Sequence, residues 1–129
     1  MIYGWLVRKQ APGLWERLSD QRIDELPLAD DVHFVFLGDH PLAADLHGAD
    51  KLRAWLRELF RRFPRLRFEV EDLIVEGGPW STRLATRYVA TQDGQVVYRG
   101  TAFQRVVWGK LAEERILPDT QALAAALAN

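Results

Sequence analysis

The sequence contains no cysteine, which excludes disulfide bonds, thiol nucleophiles and thiolate metal ligands. It also lacks an excess of positive charge, since 17 Lys and Arg side chains face 18 Asp and Glu side chains for a net charge of −1. Nucleic-acid-binding proteins usually carry a basic excess, so we expect no nucleic-acid partner. The amino-terminal stretch reaches Arg8 and Lys9 too early for a signal peptide or a membrane span. We therefore expect a cytoplasmic protein with no membrane partner.

The length and composition are those of one globular domain. The chain has 129 residues, of which 48% are hydrophobic and 27% are charged. A chain of this length can bury a single core. We therefore predict a single domain over residues 1–129.

The apolar pattern changes from helical to strand spacing near the middle of the chain. Apolar residues follow helical spacing over residues 7–18 and again over residues 50–63, and they alternate from Arg67 onward. Asp93-Gly94 and Gly109-Lys110 have the composition of tight hairpin turns. The pattern predicts an α+β fold, with helices first and an antiparallel meander after them.

The two turns predict which strand residues face the helices. Pairing Gln92 with Gln95 and Trp108 with Leu111 sorts the side chains into two faces. A change of phase near Glu71-Asp72 also predicts a β-bulge. The predicted helix-facing set contains Trp80, Leu84, Phe103, Ile116 and the opposed pair Arg105 and Glu114. The predicted outer set contains Arg83, Arg87, Arg115, Ala85, Val89, Ala102, Val106 and Leu117.

Four polar side chains crowd into the loop between an apolar strand at Val32–Leu37 and the helix predicted to begin at Asp50. They are Asp39, His40, Asp45 and His47. A carboxylate at the mouth of an apolar pocket, beside an imidazole, could transfer a proton. The alternative is ordinary turn chemistry, because Gly-Asp before His-Pro favours a turn by itself.

The order of these features resembles the nuclear transport factor 2-like superfamily. Helices come first, then a strand ending in Gly38-Asp39-His40-Pro41-Leu42-Ala43, a Trp-bearing helix preceded by glycine, and a meander ending in Pro118-Asp119. Within the superfamily the chain is most similar to the SnoaL-like polyketide cyclases, from about Trp15 to Leu127. The resemblance implies a curved antiparallel sheet wrapped around N-terminal helices, a cone-shaped, cystatin-like α+β barrel. It also implies an apolar pocket open at one end and a homodimer formed through the outer sheet face.

The ketosteroid isomerases of the same superfamily offer a second comparison. Their catalytic base is an aspartate a short loop before a His-Gly pair, and Asp39 stands in that relation to His47-Gly48. The rest of the isomerase site is not matched. The position of the isomerase tyrosine falls near Leu14 or Trp15, and that of the protonated aspartate falls near Thr101 or Phe103.

We therefore assign candidate roles as follows. Asp39 and His40 are the predicted catalytic pair. Arg105 and Glu114 either orient a polar part of a substrate or form a structural cross-strand pair. Six aromatic side chains are predicted to wall the pocket, although most of them also suit the core: Trp15, Phe36, Trp55, Trp80, Tyr88 and Phe103.

We expect neither a metal site nor a cofactor. His33, His40 and His47 recur every seven residues, but a strand followed by a loop does not place three imidazoles on one face. Two functions stay open. One is a small enzyme that abstracts a proton from an apolar carbonyl compound, as a cyclase, isomerase or dehydratase. The other is a non-catalytic domain for small-ligand binding or dimerisation.

Overall fold

The computed structural model of the chain describes residues 2–128. This range contains three α-helices and six strands. Two of the helices precede the four-strand meander as predicted, and the third helix follows it. The elements are α1 (Ile2–Ser19), a 3₁₀ turn (Ile23–Glu25), β1 (Leu28–Phe36), β2 (Ala44–His47), α2 (Ala49–Arg62), β3 (Leu66–Gly78), β4 (Ser81–Gln92), β5 (Gln95–Val107), β6 (Lys110–Pro118) and α3 (Thr120–Leu127).

The six strands form one curved, open sheet in the order β2-β1-β6-β5-β4-β3. Strand β1 runs parallel to β6, and the other neighbouring strands run antiparallel. Helix α1 packs along β3, and α2 packs on β1. A continuous apolar core lies between the helices and the sheet. The predicted α+β class is therefore confirmed.

The first helix is longer than the sequence pattern suggests. Helix α1 runs through Pro12 without ending there. Between α1 and β1 the chain forms a single 3₁₀ turn at Ile23–Glu25. The bulge predicted near Glu71-Asp72 is confirmed, because the pairing of β3 with β4 shifts between Val70 and Asp72.

Strand β2 lies in the segment predicted to be a loop. Its four residues alternate between half-buried and exposed positions and pair with the edge of β1. Four residues are too few for a strand period to stand out from a loop. As a result His33 lies directly opposite His47 across the two strands.

A bulge in β5 reverses the faces predicted for that strand. Gln92 pairs with Gln95 as expected, but Val97 is an extra residue between the pairs Thr91–Val96 and Ala90–Tyr98. One inserted residue moves every later side chain to the opposite face. The predicted inward positions of Phe103 and Arg105 are therefore wrong. The residues that face the helices instead are Ala102, Gln104 and Val106.

The second hairpin turn lies one residue earlier than predicted. Val107 pairs with Lys110, so Trp108 and Gly109 form the turn, with φ values of 48° and 80°. Ala112 is then an extra residue in β6. Glu114 faces the helices as predicted, but the residue opposite it is Gln104.

The predicted Arg105–Glu114 pair is therefore replaced by a different one. Arg105 lies on the outer face, where its Nη2 atom is 4.0 Å from Oε2 of Glu113, and both side chains are exposed.

The predicted pocket wall is only partly correct. Leu84 and Ile116 are buried, whereas Phe103 is 49% exposed on the outer face. Trp80 is 62% exposed, because it sits in the turn between β3 and β4 with its ring against Gly78. The outward positions of three arginines are confirmed: Arg83, Arg87 and Arg115.

Candidate functional site

A cavity of about 120 Å³ lies between α1, α2 and the concave face of the sheet. Its wall is almost entirely apolar, and Glu114 and Gln104 are the two side chains in it that end in a carboxyl or an amide. The other lining residues are Ala11, Leu14, Trp15, Leu18, Leu26, Pro27, Leu28, Leu52, Leu56, Leu84, Val106, Gly109 and Leu111.

Hydrogen bonds across three strands hold the side chains of Gln104 and Glu114 in place. Nε2 of Gln104 donates to Oε2 of Glu114 at 2.5 Å, and Oγ1 of Thr86 donates to Oε1 of Gln104 at 3.3 Å. Thr86 is fully buried. Because the Thr86 hydroxyl occupies the amide oxygen, the amide nitrogen of Gln104 is directed at the carboxyl group.

The pKa of the Glu114 carboxyl group lies close to neutral pH. Its side chain reaches solvent only in part, and burial among apolar atoms disfavours the charged form. The hydrogen bond from Gln104 acts in the opposite direction but is weaker. The net result raises the pKa of Glu114 from 4.5 to about 7.

A buried pair of tyrosines adjoins the carboxyl group. The hydroxyl groups of Tyr88 and Tyr98 are 2.8 Å apart and belong to the core. Burial raises the pKa of both tyrosines, and the nearby charge of Glu114 raises them further. Both phenols therefore stay neutral beside Glu114.

The cavity continues into a larger cleft beneath α1. This cleft has a volume of about 930 Å³ and shares Leu14, Leu84 and Val106 with the inner cavity. It extends to the first turn of α1, where the hydroxyl group of Tyr3 hydrogen-bonds Oγ1 of Thr82. A ligand can therefore place one end beside Glu114 and the remainder in the outer cleft.

Of the predicted site residues, the structure brings Trp15 and Glu114 together in the cavity wall. Phe36 and Tyr88 lie in the core, with side chains at most 1% exposed, and they do not line the cavity. Trp55 is half-buried, and its Nε1 atom donates to the carbonyl oxygen of Leu42 at 2.9 Å. The remaining three predicted residues point away from the cavity: Trp80, Phe103 and Arg105.

The predicted catalytic pair lies outside the cavity. Asp39 is exposed and is absent from the lining. The ring of His40 is bonded within its own loop, since Nδ1 accepts from the backbone nitrogen of Leu42 at 3.2 Å and Nε2 lies 3.1 Å from the carbonyl oxygen of Leu37. These contacts are those of a stable turn.

Gln104 and Thr86 are site residues that the sequence reasoning missed in this role. The predicted register placed Gln104 on the outer face between Arg83 and Arg115, and Thr86 on the inner face opposite Thr101. One signal was available, because Arg99 and Arg105 alternate in phase with Phe103. Two arginines in one phase favour the outer face for all three residues.

Within residues 2–128, one group of three His and Asp side chains could hold a metal ion, and none of the three lines the cavity. No helix in that range has both the length and the apolar character needed to cross a membrane.

Several solved structures share this fold at low sequence identity. The Rv3472 protein from Mycobacterium tuberculosis, whose function is unknown, is 17% identical with a TM-score of 0.74, and the match covers 96% of this chain and 86% of that one. An NTF2-like protein of unknown function from Burkholderia pseudomallei is 16% identical with a TM-score of 0.74, covering 95% and 97%. A candidate isomerase of the SnoaL-like family from Agrobacterium tumefaciens is 20% identical with a TM-score of 0.60, covering 92% and 99%.

No curated protein sequence matches the chain. The sequence profile of the SnoaL-like domain matches residues 13–114, a range that includes every element from the second half of α1 to Glu114 in β6. The chain therefore belongs to the SnoaL-like domain family.

Proposed function

We propose that this protein is a small cofactor-independent enzyme that abstracts a proton next to the carbonyl group of an apolar compound, with Glu114 as the base. The observation that carries the proposal is a single carboxyl group in an apolar cavity, with its pKa raised to about 7 and its position fixed by Gln104.

The geometry suits carbon–hydrogen bond cleavage. An ionised carboxylate in an apolar cavity has few water molecules around it, which makes it a stronger base than one in water. The C–H bond breaks, the proton moves to Glu114, and the electron pair moves onto the carbonyl oxygen. The amide nitrogen of Gln104 carries a second hydrogen, which we assign as the donor to that oxygen. Return of the proton to another carbon completes an isomerisation, while ring closure or loss of water from the same enolate gives a cyclase or a dehydratase.

The cavity limits the size of the reacting end. A cavity of about 150 Å³ with apolar walls can bind benzene. At about 120 Å³, this cavity holds a short branched chain or the reacting side of a small ring, and the rest of the compound extends into the outer cleft. The outer cleft, at about 930 Å³, falls in the range of small-molecule sites. The substrate class is therefore a mainly apolar carbonyl compound whose reactive carbon enters first.

Membership of the SnoaL-like family supports a small-ligand site in this fold. The alternative is a binding domain that uses the same cavity without chemistry. The predicted pair Asp39 and His40 stays a second assignment for the catalytic groups, although its exposed carboxylate lacks apolar walls.

Exchange of α-hydrogens for deuterium tests the proposal without knowledge of the natural substrate. Cyclohexanone in D₂O, followed by proton NMR, reports any base held next to a carbonyl group. We expect the wild-type protein to accelerate exchange and Glu114→Gln to lose about 100-fold or more of that acceleration. The matched control is Glu113→Gln, which changes the same residue type one position away on the exposed outer face and should retain full activity.

Two outcomes contradict the assignment. Undiminished exchange in Glu114→Gln removes Glu114 from the chemistry, and loss of exchange in Asp39→Asn moves the chemistry to the loop. Saturable binding of cyclohexanone without exchange favours the non-catalytic domain.

We also propose a homodimer formed through the outer face of the sheet. With the corrected register, this face carries the exposed side chains of Phe103 and Leu117 and the half-buried Ala85. Arg83 and Arg87 flank them in β4. A large apolar side chain exposed among arginines is typical of an interface with a polar rim.

A further inference from the structure

Two histidines and an aspartate converge where β2 forms the edge of the sheet. His33 and His47 are cross-strand partners, and their rings stack with centroids 4.2 Å apart and planes at 11°. Oδ1 of Asp45 lies 2.7 Å from Nε2 of His33 and 3.8 Å from Nε2 of His47. One ligand atom from each of the three residues lies within 4.8 Å of the others.

The strand pairing holds these side chains together. Asp45 and His47 are alternate residues of β2 and therefore point to the same face. His33 reaches that face from β1. The side chains of His47 and Asp45 are 72% and 68% exposed, so an ion can reach them directly from solvent.

We propose that His33, Asp45 and His47 form a site for a divalent transition metal ion, with Zn²⁺ as the ion that fits best. Neutral imidazole and carboxylate are standard zinc ligands, bound at about 2.0–2.2 Å. Two atoms at that distance from a tetrahedral ion lie about 3.3 Å apart. The two observed distances from Asp45, 2.7 and 3.8 Å, lie on either side of that value. The stacked rings must also turn, so that the lone pairs of both ring nitrogens point at one ion.

The neighbouring charges include both signs, because Arg115 of β6 pairs with Val35, the cross-strand partner of Asp45. Asp45 brings its charge to the centre of the group, and Glu113 of β6 is the cross-strand neighbour of His33 on the other side. With three protein ligands, a fourth position stays open to water. None of the three ligands lines the cavity beside Glu114, so this site is independent of the proposed reaction.

A bound ion would join β2 to β1 by bonds stronger than the present hydrogen bond between Asp45 and His33. Because an ion that binds only the folded state stabilises it, the thermal midpoint should rise with Zn²⁺ concentration. Strand β2 follows the loop that carries Asp39 and His40, so the same bonds would restrain one end of that loop.

Calorimetric titration of the untagged protein with ZnCl₂ tests the proposal. We expect one ion per chain and at least about 10-fold weaker binding in each of His33→Gln, Asp45→Asn and His47→Gln. The matched control is His40→Gln, because His40 is the third histidine of the chain and bonds only within its own loop. It should bind Zn²⁺ as the wild type does.

Imidazole nitrogen NMR on the wild-type protein gives a reading that does not depend on how the variants fold. Zn²⁺ should shift ring nitrogens of His33 and His47 and leave those of His40 in place. The proposal is overturned if Zn²⁺ binds the wild type no more tightly than the double variant of His33 and His47. A shift confined to His40 overturns it as well.

Discussion

At the scale of single residues, burial gives Glu114 a chemistry different from that of an ordinary surface glutamate. The same residue type one position away, Glu113, lies on the outer face in solvent. Alternation along β6 therefore places one carboxylate in water and its neighbour in an apolar cavity. Comparing Glu113 with Glu114 therefore measures the effect of burial on a carboxyl pKa within one strand.

The first prediction is that Glu114 makes stability depend on pH. Its folded-state pKa of about 7 lies above the ordinary value of 4.5, so the native state holds the proton over a range in which the unfolded state has lost it. The contribution to stability is complete below pH 4.5 and is lost as pH rises through about 7. This difference in pKa between the folded and unfolded states corresponds to roughly 3 kcal/mol in the free energy of unfolding.

Urea unfolding of the wild type and of Glu114→Gln at pH 5 and pH 8 measures this contribution. We expect the free energy of unfolding of the wild type to fall from pH 5 to pH 8 by more than that of Glu114→Gln, because the glutamine side chain carries no charge to bury. Glu113→Gln should show no such difference from the wild type. The prediction would be contradicted if the free energy of unfolding differed between Glu114→Gln and the wild type by the same amount at both pH values.

Residue-scale reasoning from the sequence found Trp15 and Glu114 but not Gln104. Trp15 lies in a helical stripe, and Glu114 stays on the inner face because the displaced turn and the bulge at Ala112 restore its phase. Gln104 depends on the single extra residue Val97. An extra residue of that kind shifts the strand phase, and the only trace of it in the sequence is the phase that Arg99 and Arg105 share with Phe103.

At the scale of elements, one serine joins α1 to the open edge of the sheet. Strand β3 is an edge strand, and the backbone nitrogen of Phe68 donates to Oγ of Ser19 at 2.8 Å. The Ser19 hydroxyl in turn donates to the carbonyl oxygen of Trp15 at 3.0 Å. Ser19 is 5% exposed, so this bond fixes the helix that walls the cavity.

The second prediction concerns this joint. Ser19→Ala should lower the free energy of unfolding by about 1–3 kcal/mol, because it leaves the buried amide of Phe68 without an acceptor. Ser81→Ala is the control, since the half-buried Ser81 forms no side-chain hydrogen bond within residues 2–128. Equal losses in the two variants, measured by urea unfolding, would show that the joint contributes nothing specific.

The element order could be predicted from the sequence, whereas β2 and the position of the last turn could not. Long helical stripes and the Asp93-Gly94 turn are strong local signals. Strand β2 exists because β1 offers it an edge, which is a tertiary cause. The turn at Trp108 and Gly109 needs a non-glycine residue at φ 48°, an uncommon conformation for tryptophan.

At the scale of the whole molecule, the two faces of the sheet carry the two surfaces for which we propose functions. The concave face holds the cavity, and the outer face carries the apolar patch that we propose as the dimer interface. The bulge in β5 accounts for both features. It shifts the strand by one residue, which places Gln104 opposite Glu114 in the cavity and turns Phe103 to the outer face.

The third prediction is that Phe103→Glu separates the proposed dimer. A charge placed in an apolar interface costs several kcal/mol, so the dissociation constant should rise by about 100-fold or more. Val96→Glu is the control, because Val96 is also an exposed apolar residue but lies beside the hairpin turn. Sedimentation equilibrium measures both variants. A monomeric wild type at high micromolar concentration would rule out the dimer.

The most direct test of the central claim is the pKa of Glu114 itself. Carbon-13 NMR titration of the side-chain carboxyl groups requires no substrate. We expect one glutamate resonance that titrates near pH 7, that is missing from Glu114→Gln and that persists in Glu113→Gln. A spectrum in which every glutamate titrates below about pH 5 would contradict the account, because Glu114 would then be an ordinary solvated carboxylate.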